Sequence, residues 1–107
     1  MTEFIQVSTA TDKREDAERI SKAIVENRLA ACAQVSGPIS SFYWWNDNME
    51  ETEEWRIIIK TTMDIYPRLE QALKNFHPYE VPEIIAVPIT AGNSDFLEWI
   101  KKETRDK

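Results

Sequence analysis

The spacing of apolar residues alternates along the chain between the two-residue repeat of a strand and the three-to-four-residue repeat of a helix. An apolar run that begins at Phe4 and ends in the small polar residues 8–11 predicts a first strand. A helix follows, with Asp12 as its expected N-cap and Glu15 at the third helical position, as in a capping box. Its buried stripe consists of Ala17, Ile20, Ile24 and Leu29.

A long hairpin is predicted next. Residues 31–45 have the composition of a strand, but Gly37 and Pro38 interrupt it, so we expect a bend there. Residues 46–48 are a turn signal, and residues 54–62 form the returning strand.

The rest of the chain predicts a helix, a strand and a final helix. Residues 64–76 have helical periodicity with a proline in the first turn, and the His-Pro pair at 77–78 ends that helix. Residues 81–89 are the expected last strand, and Asn93 or Ser94 caps the terminal helix. The order βαββαβα predicts an α+β protein: one ferredoxin-like split βαβ sandwich over residues 1–107, with a long β-hairpin and an extra C-terminal helix.

The hairpin is too long to lie inside such a domain. Fully extended, residues 31–45 would span about 50 Å, whereas a compact domain of this size is only about 30 Å across. The hairpin must bend or protrude, and strict alternation cannot place all its large aromatics on one buried face. We therefore expect a partner subunit to cover them in an oligomer. These candidate interface residues are Phe42, Tyr43, Trp44, Trp45 and Trp55.

Charge and composition exclude several kinds of partner. A net charge of −6 and a pI near 4.8 disfavour nucleic acid and anionic membranes. No signal peptide or segment of transmembrane length is visible, so we expect a cytoplasmic protein without membrane insertion. One cysteine, Cys32, fits a reducing compartment. There is no phosphate loop, nucleophile elbow or metal-hydrolase motif, so an enzyme is not expected.

The most informative stretch for function surrounds the lone histidine. His77 stands at a helix end held by two prolines, which indicates either a rigid helix-to-strand junction or a site for metal or anion chemistry. Tyr79, Glu80 and Glu83, together with Lys60 on the central strand, form the expected ligand pocket across a subunit boundary.

Two other candidate groups are weaker. Cys32 lies in a run of small residues typical of a buried strand, and would serve as a metal ligand only if assembly brought it near His77. The carboxylates of residues 50, 51, 53 and 54 are expected to be a solvated edge of the hairpin.

The chain resembles the CutA family of divalent-cation tolerance proteins. The resemblance rests on N-R-L-A-A-C-A at residues 27–33, S-F-Y-W-W at 41–45, I-I-K-T-T at 58–62, H-P-Y-E-V-P-E-I-I at 77–85 and L-E-W-I at 97–100. It implies a ferredoxin-like subunit, a homotrimer in which sheets pair between subunits, and a role in handling copper and other divalent metals. We expect copper or another divalent cation as a bound ion, and no cofactor that folding requires.

Only part of the family's copper site is present in this chain. Members with that site have a cysteine near the end of the first strand and a pair of histidines before Pro-Tyr, and the corresponding residues here are Ser8, Phe76 and His77. One ligand type remains, so we expect weak metal binding near His77. Three hypotheses follow: a non-enzymatic trimer for metal tolerance, a signalling trimer with a small metabolite in the inter-subunit cleft, and a structural trimer that positions other proteins.

Overall fold

The computed structural model describes residues 3–105 and contains seven elements. They are β1 Phe4–Thr11, α1 Arg14–Glu26, β2 Cys32–Trp45, β3 Asn48–Thr62, α2 Tyr66–Phe76, β4 Ile85–Pro88 and α3 Ser94–Glu103. The strands form one antiparallel sheet in the order β2-β3-β1-β4. The predicted element order and the α+β, ferredoxin-like class are confirmed. Within the described residues, no helix is long and apolar enough to cross a membrane.

The core lies between this sheet and helices α1 and α2. Alternate residues of the two central strands face it, so that Val7 pairs with Ile59 and both are fully buried. The predicted stripe of α1 is buried as well, and Leu69 and Leu73 of α2 pack against it. The two-residue and 3.6-residue periods seen in the sequence therefore correspond to buried faces.

Several predicted boundaries were wrong by a few residues. Helix α1 has Lys13, not Asp12, at its N-cap and no side-chain cap, because Thr11 Oγ1 donates to the Lys13 carbonyl at 2.8 Å and shapes the entry turn. Helix α2 begins at Tyr66 rather than at residue 64. The last strand is only Ile85–Pro88, since residues 77–84 lie beyond the part of β1 that pairs with it. At α3, Asn93 is the N-cap as expected, its side chain accepting two backbone N–H bonds.

The hairpin of β2 and β3 is longer than predicted and protrudes. Strand β3 starts at Asn48, directly after a two-residue turn in which Asn46 and Asp47 have positive φ, the geometry of tight hairpins. The overall extents of 44 × 26 × 21 Å reflect this arm. The expected bend is present, because the pairing register shifts between Ser36 and Ile39.

Candidate functional site

His77 forms the corner where α2 ends, and the residue is only 8% exposed. The Tyr79 backbone N–H donates to Nδ1 at 3.1 Å, so Nδ1 is unprotonated and Nε2–H donates to the Ala10 carbonyl at 2.9 Å. Burial lowers the pKa of His77, although the Ala10 carbonyl and the carboxylates of Glu54, Asp12 and Asp16 oppose that effect. The ring is therefore a neutral link between α2, β1 and the segment that follows it.

Tyr79 extends this link to the hairpin. Its hydroxyl donates to Glu54 Oε2 at 2.7 Å, and its ring stands beside His77 with 4.7 Å between the centroids. Burial, followed by the hydrogen bond and charge of Glu54, raises the pKa of Tyr79 far above its usual range, so the hydroxyl is a permanent donor.

The expectation that Glu54 belongs to a solvated edge was wrong. Glu54 is only 9% exposed, whereas Glu51 and Glu53 are exposed as expected. The register beyond the bulge pairs Glu54 with Ile39, and directly opposed residues share one face of a hairpin. That face is covered by Tyr79, and the opposite face is open to solvent.

A cleft of about 700 Å³ opens where this covered face meets the segment after α2. The register places Ser41, Tyr43 and Trp45 on the same face as Glu54, whereas Phe42 and Trp44 belong to the other face and also border the opening. The residues that line it are Ser41, Phe42, Tyr43, Trp44, Trp45, Glu54, Tyr79, Glu80, Val81 and Glu83. Tyr79, Glu80 and Glu83 thus line one cleft of a single chain, together with Glu54, which the sequence interpretation had left out of the pocket.

Lys60 lies outside this cleft in a single chain. Its Nζ donates to Gln34 Oε1 at 2.7 Å, and it pairs with Cys32, whereas Ala10, the β1 residue that His77 contacts, pairs with Arg56. Lys60 and Arg56 are four residues apart along β3, a distance of about 13 Å. One chain therefore does not bring Cys32 or Lys60 to His77. Within residues 3–105, no group of three or more His, Cys, Asp or Glu side chains could hold a metal ion.

The hairpin aromatics divide into two sets. Phe42 and Trp44 are 62% and 74% exposed, and Tyr43 and Trp45 are about 40% exposed. Trp55 differs, because it is partly buried and packs against the hydrophobic core. It therefore does not belong with the exposed aromatics among which the sequence interpretation placed it.

The comparisons with known proteins agree on one family. The family model described as CutA1 divalent ion tolerance protein matches residues 5–103. The chain belongs to the CutA1 family. The divalent-cation tolerance protein CutA of Thermus thermophilus is 38% identical to it over 104 residues, covering 97% of this chain and 99% of the relative. Human protein CutA is 41% identical over 88 residues, covering 82% of this chain but only 49% of that longer protein.

Solved CutA1 structures share the whole fold. CutA1 from Oryza sativa superposes with a TM-score of 0.95 at 36% identity, covering 99% of this chain and 97% of the other. The divalent cation tolerance protein of Thermus thermophilus superposes with a TM-score of 0.92, covering 95% of this chain and 99% of the other.

Three positions correspond to the copper ligands of the family. In this CutA1 chain, their side chains either cannot bind a metal or already form other contacts. Ser8 pairs with Ile58 and Ile85 in the middle of the sheet. Phe76 packs against the core. His77 is the remaining ligand type there, and both its ring nitrogens already have hydrogen-bond partners.

Proposed function

We propose that this chain is a non-enzymatic cytosolic homotrimer that contributes to tolerance of divalent metal ions, copper among them. The observation that carries the proposal is the match of a divalent ion tolerance family over residues 5–103, with relatives of that name similar over almost their full length. The test is growth of host cells deprived of their own CutA in graded Cu(II), Zn(II) and Co(II). Expression of this chain is expected to restore growth, and equal sensitivity with and without it would contradict the proposal.

Assembly of the trimer is supported by the surface of the hairpin. Phe42, Trp44 and Met49 are each at least 60% exposed near its tip, and a soluble monomer rarely leaves such a contiguous patch in water. Sedimentation equilibrium should give three times the single-chain mass of 12.5 kDa. Trp44→Ala should weaken association by about 2 kcal/mol or more, because buried aromatics dominate interfaces. Lys101→Ala, which removes only an exposed ion pair with Glu3, is the matched control.

Metal binding by this chain is proposed to be weak and to depend on His77. The support is geometric, because coordination at either ring nitrogen would displace the hydrogen bond to Ala10 or the one from Tyr79. Calorimetric titration of Cu(II) and Zn(II) into the wild type, His77→Gln and Cys32→Ser separates the ligands. Binding unchanged in His77→Gln would refute the role of the imidazole, and tight binding lost in Cys32→Ser would assign it to the thiol.

The cytosolic location is part of the proposal, supported by the single cysteine, which suits a reducing compartment. Relatives carry other locations in their names, since the rice and Arabidopsis proteins are chloroplastic and that of Archaeoglobus fulgidus is periplasmic. Fractionation of the source cells decides the question.

A second candidate function is the binding of a small molecule in the cleft beside Tyr79. The cleft has the volume typical of ligand sites, and aromatic side chains line it together with a few polar groups. Native mass spectrometry of protein purified without chelator reports subunit number, bound metal and bound metabolite together. A bound compound that is lost on substitution of a cleft residue would favour this function.

A further inference from the structure

The charges that line the cleft are all of one sign. Glu54, Glu80 and Glu83 contribute carboxylates, and the lining contains no Lys, Arg or His. Arg56 is the nearby cation, and its Nη1 lies 3.8 Å from Glu83 Oε2, a long and partly exposed ion pair. The negative charge of the cleft is therefore only partly compensated by the described residues.

Glu54 is the deepest of these carboxylates. It is only 9% exposed, and its Oε2 accepts the Tyr79 hydroxyl at 2.7 Å. Within residues 3–105, no second hydrogen bond or ion pair involves its carboxylate, and Oε1 is not among the fully buried unpartnered side-chain atoms, so solvent reaches it. A mostly buried carboxylate with a single protein donor can accept a further donor or a cation that enters from solvent.

The aromatic wall of the cleft suits the same kind of ligand. Tyr43 and Trp45 line the cleft on the face of the hairpin that carries Glu54, about 13 and 20 Å along the strand from its partner Ile39. Tyr43 is the nearer ring, because it is close enough to Tyr79, the hydrogen-bond partner of Glu54, to raise the pKa of Tyr79. The face of an aromatic ring attracts a cation, most strongly for Trp, and the effect grows when water is excluded. Carboxylates and aromatic faces together are the usual receptor for an ammonium group attached to an apolar body.

A bare metal ion fits the cleft poorly. No group of three or more His, Cys, Asp or Glu side chains in the described part of the chain is close enough to coordinate one. A cleft of about 700 Å³ is also far larger than a metal ion and matches an organic molecule.

We infer that this cleft binds a small organic cation, with its ammonium group at Glu54 and Glu80 and its apolar body against Tyr43. The inference rests on the second candidate function, which it narrows to one class of ligand. The inference is tested on the assembled protein, because Phe42 and Trp44, which a second copy would cover, also border the opening of the cleft.

A series of probes that differ mainly in charge tests the inference on the assembled protein. The probes are 2-phenylethylammonium, neutral 2-phenylethanol, anionic 3-phenylpropanoate and the quaternary benzyltrimethylammonium, followed by Trp fluorescence and calorimetry at pH 7. Both cations should bind about ten-fold or more tightly than the alcohol, and the anion least of all. Binding of the cations should weaken as salt is raised, because charge is the source of the preference.

Variants assign the binding to the cleft. Glu80→Gln, at an exposed position where folding is not at risk, should weaken both cations about five-fold, and Glu54→Gln should weaken them at least as much. Glu53→Gln is the matched control, because it removes the same charge from the neighbouring residue on the other face of the hairpin. Its affinities should equal those of the wild type.

The inference would be overturned by no binding of either cation, by equal binding of all four probes, or by cation binding that Glu80→Gln leaves unchanged. The wider proposals fail on different evidence. If native mass spectrometry finds a neutral or anionic compound in the cleft, small-molecule binding stands and the cationic class is wrong. Metal tolerance is measured in a separate experiment, the growth of cells that express Glu80→Gln in graded metal ion.

Discussion

Tyr79→Phe is expected to lower the free energy of unfolding by about 2 kcal/mol per chain. The change removes one oxygen, the donor of a 2.7 Å hydrogen bond to Glu54, and leaves a carboxylate that is only 9% exposed without that partner. Hydrogen bonds to charged groups contribute about 1.5–3 kcal/mol, and the larger part of the loss comes from the buried acceptor that stays unsatisfied.

The expected shift in melting temperature follows from the size of the chain. At about 2 cal/mol/K per residue, 107 residues have an unfolding entropy of about 0.2 kcal/mol/K, so 2 kcal/mol corresponds to about 9 °C. Assembly does not change this figure, because three subunits that melt together lose three hydrogen bonds and have three times the entropy. Differential scanning calorimetry and guanidinium unfolding measure the two quantities.

A double-mutant cycle identifies the cause of the loss. In a Glu54→Gln background the acceptor is neutral, so Tyr79→Phe should cost less than about 1 kcal/mol and the two positions should be coupled by about 1 kcal/mol. Tyr43→Phe is the control, because its hydroxyl accepts only a 3.2 Å bond from Thr52 at an exposed site. A cost for Tyr79→Phe that equals that of Tyr43→Phe, or that is unchanged with Gln at position 54, would refute the role given to this bond.

The elements were predictable because each has a local cause. Apolar spacing predicted the buried faces of β1 and α1, and the fixed geometry of proline predicted the corner at His77. The length of the hairpin predicted a protruding arm, and the arm is present. The family resemblance was also confirmed, by a match over residues 5–103.

The composition of the cleft was only half predictable, because it depends on strand register. Tyr79, Glu80 and Glu83 are close in sequence and remain close in the fold. Glu54 joins them from the hairpin, and the bulge between Ser36 and Ile39 decides which residues of β2 share its face: the extra residue places Tyr43 and Trp45 there in place of Phe42 and Trp44. Lys60 lies six residues along β3 from Glu54, about 20 Å, and so outside the cleft.

Two further predictions concern the bulge and the histidine. Gly37→Ala should destabilise the chain by about 1–3 kcal/mol, because φ is +155° and a Cβ would lie 2.7 Å from Trp55 Cδ1 and 3.0 Å from the Glu54 carbonyl oxygen. Gly92→Ala, which meets only the flexible Leu97 side chain, should cost less in the same guanidinium unfolding experiment. The stability of the wild type should be complete above pH 6.5 and should fall as the pH is lowered from there, because burial holds the pKa of His77 below its usual 6.5. In that range the unfolded chain takes up a proton that the folded ring does not, so protonation favours unfolding. The decline should stop once the pH is below the pKa of the folded state. His77→Gln has no group that titrates there, so its stability should be flat between pH 6.5 and the onset of carboxylate protonation. A slope in His77→Gln equal to that of the wild type would show that other groups cause the decline.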